Sequence, residues 1–216
     1  MKLCDIPERR ILVFGDSNTY GYDPATDGRY GEAERYPRLL QALLGPRYAV
    51  IEEGLPGRTA VFDDPVTEGL CGLSYITPCM MSHAPLDAVV IMLGTNDTKE
   101  RFACTPELIA QGLRRLAEKA MHTAAWRASP DVLLVAPAAI VPEYRERMFC
   151  GAMGAGCAER AARLAPELKK QAALIGARFW DAGSIPGVCV HPLDGMHLTR
   201  EAHAALANSL VQALKT

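Results

Sequence analysis

A serine that could act as a nucleophile follows the first apolar run of the chain. Residues 11–14 are apolar at every position, which predicts a buried parallel strand, and Ser17 comes three residues later. Gly15 breaks the strand and permits a sharp turn. Open α/β sheets bind ligands beyond the carboxyl ends of their strands, so this turn would lift Ser17 into that crevice. Most Gly-Asp-Ser tripeptides are ordinary turns, so the hypothesis needs partners elsewhere in the chain.

An acid and an imidazole that could activate the serine lie near the other end of the sequence. Asp194 and His197 are three residues apart, in a predicted turn before the last helix. An aspartate bonded to Nδ1 of a histidine fixes the tautomer and leaves Nε2 free to accept a serine proton, as a catalytic triad requires. The alternative is a capped helix start with a solvated histidine.

Three hydrogen-bond donors are predicted at strand ends. Asn96 supplies a side-chain amide just after the plainest strand, residues 87–93, and Gly57 supplies a backbone N–H without a Cβ. Ser17 adds its own N–H. Three donors directed at one developing negative charge suit acyl transfer. The alternative for Gly57 is a glycine that is needed only for a positive φ.

The apolar pattern predicts elements that alternate between strand and helix. Residues 137–156, which carry proline, glycine and methionine, predict an irregular excursion over the active face. Proline at position 78 should interrupt or end its helix. The order predicts one α/β domain over residues 1–216, with a parallel sheet between helices. The predicted strands are 11–14, 48–52, 87–93, 132–136 and 178–180, and the predicted helices are 33–44, 70–83, 105–126, 157–175 and 199–214.

Composition disfavours several classes of function. The 23 basic and 25 acidic side chains give a net charge of -2, which offers no electrostatic footprint for nucleic acid or an anionic membrane. No run approaches the length of a membrane span and no signal peptide is evident, so we expect a soluble cytoplasmic protein. Seven cysteines without a Cys-x-x-Cys pair favour neither disulfides nor zinc. The spacing of His191, His197 and His203 is not that of helical ligands, so we expect no metal and no cofactor.

The candidate residues resemble, in order, the four sequence blocks of the SGNH (GDSL) hydrolase family. Each block is weak alone, but the ordered set spans nearly the whole chain. The blocks are Gly-Asp-Ser at 15–17, Gly57 in its turn, Gly-Thr-Asn-Asp at 94–97 and Asp-Gly-Met-His at 194–197.

The resemblance implies a role for each matching residue. Ser17 would be the nucleophile, His197 the base and Asp194 the orienting acid. Gly57, Asn96 and the Ser17 amide would form the oxyanion hole. The family also implies a flavodoxin-like, three-layer α/β/α sandwich.

Longer stretches at 15–22, 54–59 and 94–99 are similar to the bacterial arylesterase/acyltransferase branch, whose members can be oligomeric. This similarity implies a serine esterase that hydrolyses small aryl or short-chain esters through an acyl-enzyme and transfers the acyl group to alcohols or peroxide. We therefore expect a small-molecule ester as partner, and a homo-oligomer. The branch has an apolar residue, a tryptophan and serine-alanine where this chain has Asn18, Tyr20 and Pro56-Gly57, which bears on acyl preference more than on reaction type.

A narrow, apolar substrate pocket is expected beside Ser17. Alternative functions are another SGNH activity, such as carbohydrate O-acetyl deacetylation or lysophospholipid hydrolysis, and, more distantly, a non-catalytic binding module. The absence of a Gly-x-Ser-x-Gly elbow and of a phosphate-binding glycine loop disfavours α/β-hydrolases and nucleotide binding. The expected pocket residues are Asn18, Tyr20, Tyr22, Leu55, Pro56, Met148 and Met153.

Overall fold

Five parallel strands form the central sheet of the structure, a computed structural model that describes residues 8–215. A short antiparallel hairpin, β2 with β3, lies outside this sheet. The strands are β1 (Arg9–Gly15), β2 (Tyr22–Asp23), β3 (Gly28–Arg29), β4 (Tyr48–Gly54), β5 (Ala88–Met92), β6 (Val132–Ala136) and β7 (Arg178–Asp181). The sheet order is β4-β1-β5-β6-β7.

Helices cover both faces of the sheet. The described helices are α1 (Ser17–Tyr20), α2 (Tyr36–Leu44), α3 (Gly72–Ser82), α4 (Pro106–Met121), α5 (Cys150–Met153), α6 (Cys157–Ala162), α7 (Leu164–Leu174) and α8 (Arg200–Lys215). Short 3₁₀ turns occur at Asn96–Thr98, Glu100–Phe102, Pro142–Glu146 and Ala182–Ser184. Buried residues of α3, α4 and α7 pack on one face of the sheet, and those of α2 and α8 on the other.

The strand β5 shows why the sheet is sandwiched. Val89 and Ile91 belong to the core cluster of α3, α4 and α7, whereas Val90 and Met92 belong to that of α2 and α8. Successive side chains of a strand point to opposite faces, so a strand apolar throughout needs a helical layer on each side. The predicted three-layer α/β/α architecture with a parallel sheet is therefore confirmed.

Several predicted element ends were wrong. The second helix begins at Tyr36 rather than at residue 33, because Pro37 suits the first helical turn. Helix α3 continues through Pro78, since the buried Ile76 and Cys79 on either side of it hold the helix against the core. Helix α4 ends at Met121 rather than near residue 126. The predicted helix 157–175 divides into α6 and α7 at Arg163.

The excursion of residues 137–156 is more ordered than the sequence predicted. It contains a 3₁₀ turn and α5, and its buried Tyr144 and Met153 form a third apolar cluster with Met196. The N–H of Val141 donates to the carbonyl of Gly195 at 2.9 Å. The excursion is thereby attached to the loop that precedes α8.

Candidate active site

Ser17 is the first residue of α1 and follows the tight turn at the end of β1. The carboxylate of Asp16 caps this helix by accepting a hydrogen bond of 2.9 Å from the N–H of Asn18. A Cβ at Gly15 would lie 1.9 Å from the hydroxyl oxygen of Thr19, so only glycine fits where the chain leaves the strand. The turn holds the Ser17 hydroxyl at the carboxyl edge of the sheet.

A chain of two short hydrogen bonds connects Ser17 to an acid. Ser17 Oγ is 2.8 Å from His197 Nε2, and His197 Nδ1 is 2.6 Å from Asp194 Oδ2. Asp194 Oδ1 also accepts from the N–H groups of Met196 and His197, at 2.9 and 3.1 Å. The sequence placed these three side chains in one site, and the structure brings them within hydrogen-bonding distance.

The environment keeps Asp194 ionised. Burial acts to raise its pKa, but the hydrogen bond and charge of His197, with the two backbone N–H donors, hold the pKa below its usual value. An anionic Asp194 accepts the Nδ1 proton of His197 and leaves Nε2 to accept a proton from Ser17. The three groups can therefore activate a serine hydroxyl.

Asn18 joins the two ends of this arrangement. Its Oδ1 accepts from the N–H of Leu198 at 2.8 Å, and its Nδ2 donates to the carbonyl of Met196 at 3.3 Å. Both neighbours of His197 are thus attached to the residue that follows Ser17. Asn18 therefore fixes the distance between the Ser17 turn and the loop that carries His197. The sequence analysis predicted Asn18 as a pocket residue, but it does not line the cavity beside Ser17.

Three residues that carry N–H donors follow neighbouring strands and line one cavity, and they are Ser17, Gly57 and Asn96. The N–H groups of Ser17 and Gly57 donate to no other residue in the described part of the chain. Asn96 Nδ2 donates to the carbonyl of Arg58 at 3.1 Å, which leaves its second N–H for a ligand. These donors provide the elements of an oxyanion hole.

The buried carboxylate of Asp97 connects two of the turns that carry these N–H donors. Both carboxylate oxygens of Asp97 lie within 3.1 Å of the N–H of Ala60, in the segment that follows Gly57. Burial, partly offset by this hydrogen bond and reinforced by the charge of Asp16, raises the pKa of Asp97 to about 7. Asp97 therefore connects the Asn96 turn to the Gly57 turn.

A cavity of about 240 Å³ opens beside Ser17 and His197. Of the seven predicted pocket residues, Tyr22, Pro56 and Met153 line it. The cavity lining is Ser17, Tyr22, Asp27, Pro56, Gly57, Thr95, Asn96, Lys99, Phe149, Ala152, Met153, Met196 and His197.

The other predicted pocket residues lie elsewhere. The guanidinium of Arg29 lies 4.2 Å from the ring centroid of Tyr20, which engages that side chain outside the cavity. Leu55 is 37% exposed and Met148 is 54% exposed, and neither lines the cavity. Those predictions, like that for Asn18, were wrong because nearness in sequence to a site residue does not determine where a side chain points.

Sequence reasoning missed six of the residues that line the cavity, which are Asp27, Thr95, Lys99, Phe149, Ala152 and Met196. Phe149 contacts the His197 ring edge-on, with 5.8 Å between centroids. Lys99 and Asp27 bring opposite charges to the lining, and each is engaged, since Lys99 Nζ lies 3.4 Å from Asp64 and the hydroxyl of Tyr22 donates to Asp27 at 2.7 Å. The predicted excursion over the active face was the available signal for Phe149, and no pattern singled out Lys99 or Asp27.

Comparison with known proteins agrees with this geometry. The sequence profile of the GDSL-like lipase/acylhydrolase family matches residues 13–205. The chain belongs to this family. The family match and the similarity to solved esterases show that the protein is a carboxylic ester hydrolase.

Two solved GDSL hydrolases illustrate the similarity. The chain is 34% identical to an aryl esterase from M. smegmatis, covering 96% of this chain and 98% of that one, with a TM-score of 0.87. It is 33% identical to a carbohydrate acetylesterase from Sinorhizobium meliloti, with the same coverage and a TM-score of 0.85. A comparison with curated proteins gives no match.

None of the described helices of this GDSL hydrolase has both the length and the apolar character needed to cross a membrane.

Proposed function

We propose that the protein is a serine esterase of small carboxylic esters that acts through an acyl-enzyme on Ser17. The observation that carries this proposal is the hydrogen-bonded chain from Ser17 Oγ through His197 to Asp194, at 2.8 and 2.6 Å. A serine hydroxyl is a weak nucleophile without a positioned base, and His197 Nε2 is such a base.

The proposed reaction has two steps, which are acylation of Ser17 and hydrolysis of the acyl-enzyme. His197 takes the hydroxyl proton as Ser17 Oγ attacks the ester carbonyl, and the oxyanion accepts from the N–H groups of Ser17, Gly57 and Asn96. The tetrahedral intermediate then collapses and expels the alcohol or phenol, which takes up the proton from His197. Water, deprotonated by His197, then attacks the carbonyl of the acyl-enzyme, and the bond from that carbonyl to Ser17 Oγ breaks as His197 returns the proton to the serine oxygen and the acid is released.

The cavity supports a small ester as substrate. Its volume of about 240 Å³ lies below the usual range for drug-sized ligands. Tyr22, Phe149 and Met153 give it apolar walls, which suit an aryl group or a short acyl chain. The similarity to an aryl esterase agrees with this preference.

Transfer to alcohols is part of the same proposal. The nucleophile that His197 deprotonates in the second step is whichever acceptor occupies the cavity. Burial of each CH₂ group is worth about 0.8 kcal/mol, so an alcohol of three or four carbons gains occupancy over water by roughly 10²-fold.

A second candidate function is removal of acetyl groups from carbohydrates. The cavity carries Asp27 and Lys99 as well as its apolar walls, and these groups can hydrogen-bond sugar hydroxyls. The similarity to a carbohydrate acetylesterase points the same way. A higher kcat/KM for an acetylated sugar than for an aryl acetate would favour this second function.

Stopped-flow hydrolysis of a chromogenic aryl acetate tests the proposal. We expect a burst of phenol close to one equivalent per chain, followed by slower turnover, and no burst from Ser17→Ala. Ser184→Ala, an exposed serine at another loop, is the matched control and should retain the burst. With a primary alcohol present, we expect a ratio of ester to acid product above the molar ratio of alcohol to water. Turnover by Ser17→Ala at the unmodified rate would contradict the acyl-enzyme.

A further inference from the structure

Three side chains that belong to no part of the esterase site converge beside the edge strand β4. The ligand atoms of Glu53, Cys79 and His83 all lie within 4.8 Å of one another. His83 Nε2 is 3.0 Å from Glu53 Oε1. Among the described residues, this is the one group of three potential metal ligands whose ligand atoms lie this close together.

Two local patterns create this convergence. Glu52 and Glu53 are successive residues of β4, so their side chains point to opposite faces of the sheet. Glu52 pairs with Arg35 on the α2 side, which leaves Glu53 on the α3 side. Cys79 and His83 are four residues apart at the end of α3, so they lie on one face of the helix.

A hydrogen-bonded pair beside a core cysteine explains part of the cluster. Glu53 and His83 form such a pair, and Cys79 is only 1% exposed. Burial and the charge of Glu53 raise the pKa of the Cys79 thiol to about 12, so the thiol is neutral without a cation. This explanation leaves open why a sulfur, an imidazole and a carboxylate from two elements share one small space.

The positively charged side chain near this cluster is that of Arg58, and its guanidinium already has other partners. Arg58 donates to the carbonyls of Gly15 and Glu53, and its guanidinium lies 4.1 Å from the ring centroid of Phe14. With Glu53 and a Cys79 thiolate, the cluster would carry two negative charges against the one positive charge of Arg58. Binding of a divalent cation would then give the cluster and Arg58 together a net charge of +1.

We propose that Glu53, Cys79 and His83 form a binding site for a divalent transition metal of borderline softness, Zn²⁺ foremost, with water as the fourth ligand. Thiolate, imidazole and carboxylate are the donors that zinc takes in tetrahedral sites. On binding, a metal–sulfur bond replaces the S–H bond of Cys79, and the proton passes to solvent. The site is separate from the ester chemistry.

The required adjustment is small. Zinc holds its ligands at roughly 2.0 to 2.3 Å, which places the ligand atoms about 3 to 4 Å apart. The present spacing of up to 4.8 Å closes by about an ångström. The side chains of Glu53 and His83, 19% and 30% exposed, can make this movement and give the ion a path from solvent.

Titration of the reduced, metal-free protein with Co²⁺ tests the site, because cobalt reports thiolate ligation by an absorption band in the near ultraviolet. We expect this band to saturate at one equivalent per chain and to disappear in Cys79→Ser. His83→Gln and Glu53→Gln should lower the affinity by more than the 10- to 100-fold that loss of an outer-shell partner costs. Cys189→Ser, which removes an exposed thiol at another loop, should behave like the unmodified chain.

Stability and activity give independent readouts. Zn²⁺ should raise the Tm of the unmodified chain and leave that of His83→Gln unchanged, because a ligand that binds only the folded state stabilises it. Hydrolysis of an aryl acetate should be insensitive to a chelator, so this proposal and the acyl-enzyme fail separately. Absence of the cobalt band at a tenfold excess of metal would show that the cluster is a hydrogen-bonded pair beside a core thiol, and persistence of the band in Cys79→Ser would show that another cysteine binds the metal.

Discussion

Asn96 illustrates how one side chain divides its hydrogen bonds between structure and chemistry. One N–H of its amide donates to the carbonyl of Arg58 at 3.1 Å, and the residue lines the cavity that contains Ser17. A residue that merely capped the turn would contribute to stability alone. A residue that also binds the oxyanion contributes to kcat.

Replacement of Asn96 separates these two roles. We expect Asn96→Ala to lower kcat by roughly 10² to 10³-fold, about 3 to 4 kcal/mol, because it removes one oxyanion donor. Steady-state kinetics and a melting curve on the same sample measure both effects. Asn208→Ala, at an exposed position of α8, should change neither. A large fall in Tm with kcat intact would mean that Asn96 acts only as a cap.

The excursion that contains α5 is the element that shapes the cavity. Phe149, Ala152 and Met153 line it, whereas Met148 faces solvent. Phe149 also contacts the rings of Tyr22 and His197, each with 5.8 Å between centroids. Phe149 thus limits the space available to a ligand in the cavity.

Removal of this ring should widen the range of substrates. We expect Phe149→Ala to raise kcat/KM for longer acyl chains relative to acetate by about tenfold or more, since one methylene in a pocket is worth about 1 to 3 kcal/mol. A chain-length series of aryl esters measures the ratio. Met148→Ala, one residue away but outside the cavity, is the matched control. Equal selectivity in the two variants would remove Phe149 from the cavity wall.

The elements differ in how well the sequence predicts them. Residues 87–93, apolar at nearly every position, predict β5 with one residue of error at each end, because a strand buried on both faces has a distinctive pattern. The division at Arg163 between α6 and α7 has no such signal, since the apolar pattern continues across it. Likewise, the contact of Tyr20 with Arg29 depends on the β2–β3 hairpin, which no pattern predicted.

At the scale of the molecule, the sheet order assembles the site. Ser17, Gly57 and Asn96 follow β1, β4 and β5, which are adjacent strands that end in register at Gly15, Gly54 and Met92. Ser17 and His197 are 180 positions apart and meet because α8 packs beside α2. The ordered motifs predicted the triad and the donors, whereas the remaining cavity wall depends on tertiary packing.

The packing of α8 on α2 contains one contact that acid should weaken. His203 of α8 is fully buried, and its Nδ1 accepts from the N–H of Tyr36 at 3.3 Å. Burial, with a smaller effect of the His197 charge, lowers the pKa of His203 from 6.5 to about 3. Between these values the unfolded chain binds a proton at this position that the folded chain does not, so the contribution of His203 to the free energy of unfolding falls as pH falls from about 6.5 toward 3. The raised pKa of Asp97 acts in the opposite direction, because the folded chain then binds a proton that the unfolded chain does not.

Urea denaturation across this pH range measures the effect. We expect the difference in unfolding free energy between His203→Gln and the unmodified chain to shift in favour of the variant as pH falls from about 6.5 toward 3, even if lost packing destabilises the variant at neutral pH. His122→Gln removes an exposed imidazole and is the matched control. A difference that stays constant over this pH range would assign the acid sensitivity to other groups.

The proposed esterase activity depends on acylation of Ser17. The most direct measurement is peptide mass spectrometry of the protein after reaction with a fluorophosphonate, which traps an activated serine covalently. We expect one adduct per chain, on the peptide that contains Ser17, and none in Ser17→Ala or in His197→Ala. An adduct on another serine, with ester hydrolysis retained in Ser17→Ala, would contradict the assignment.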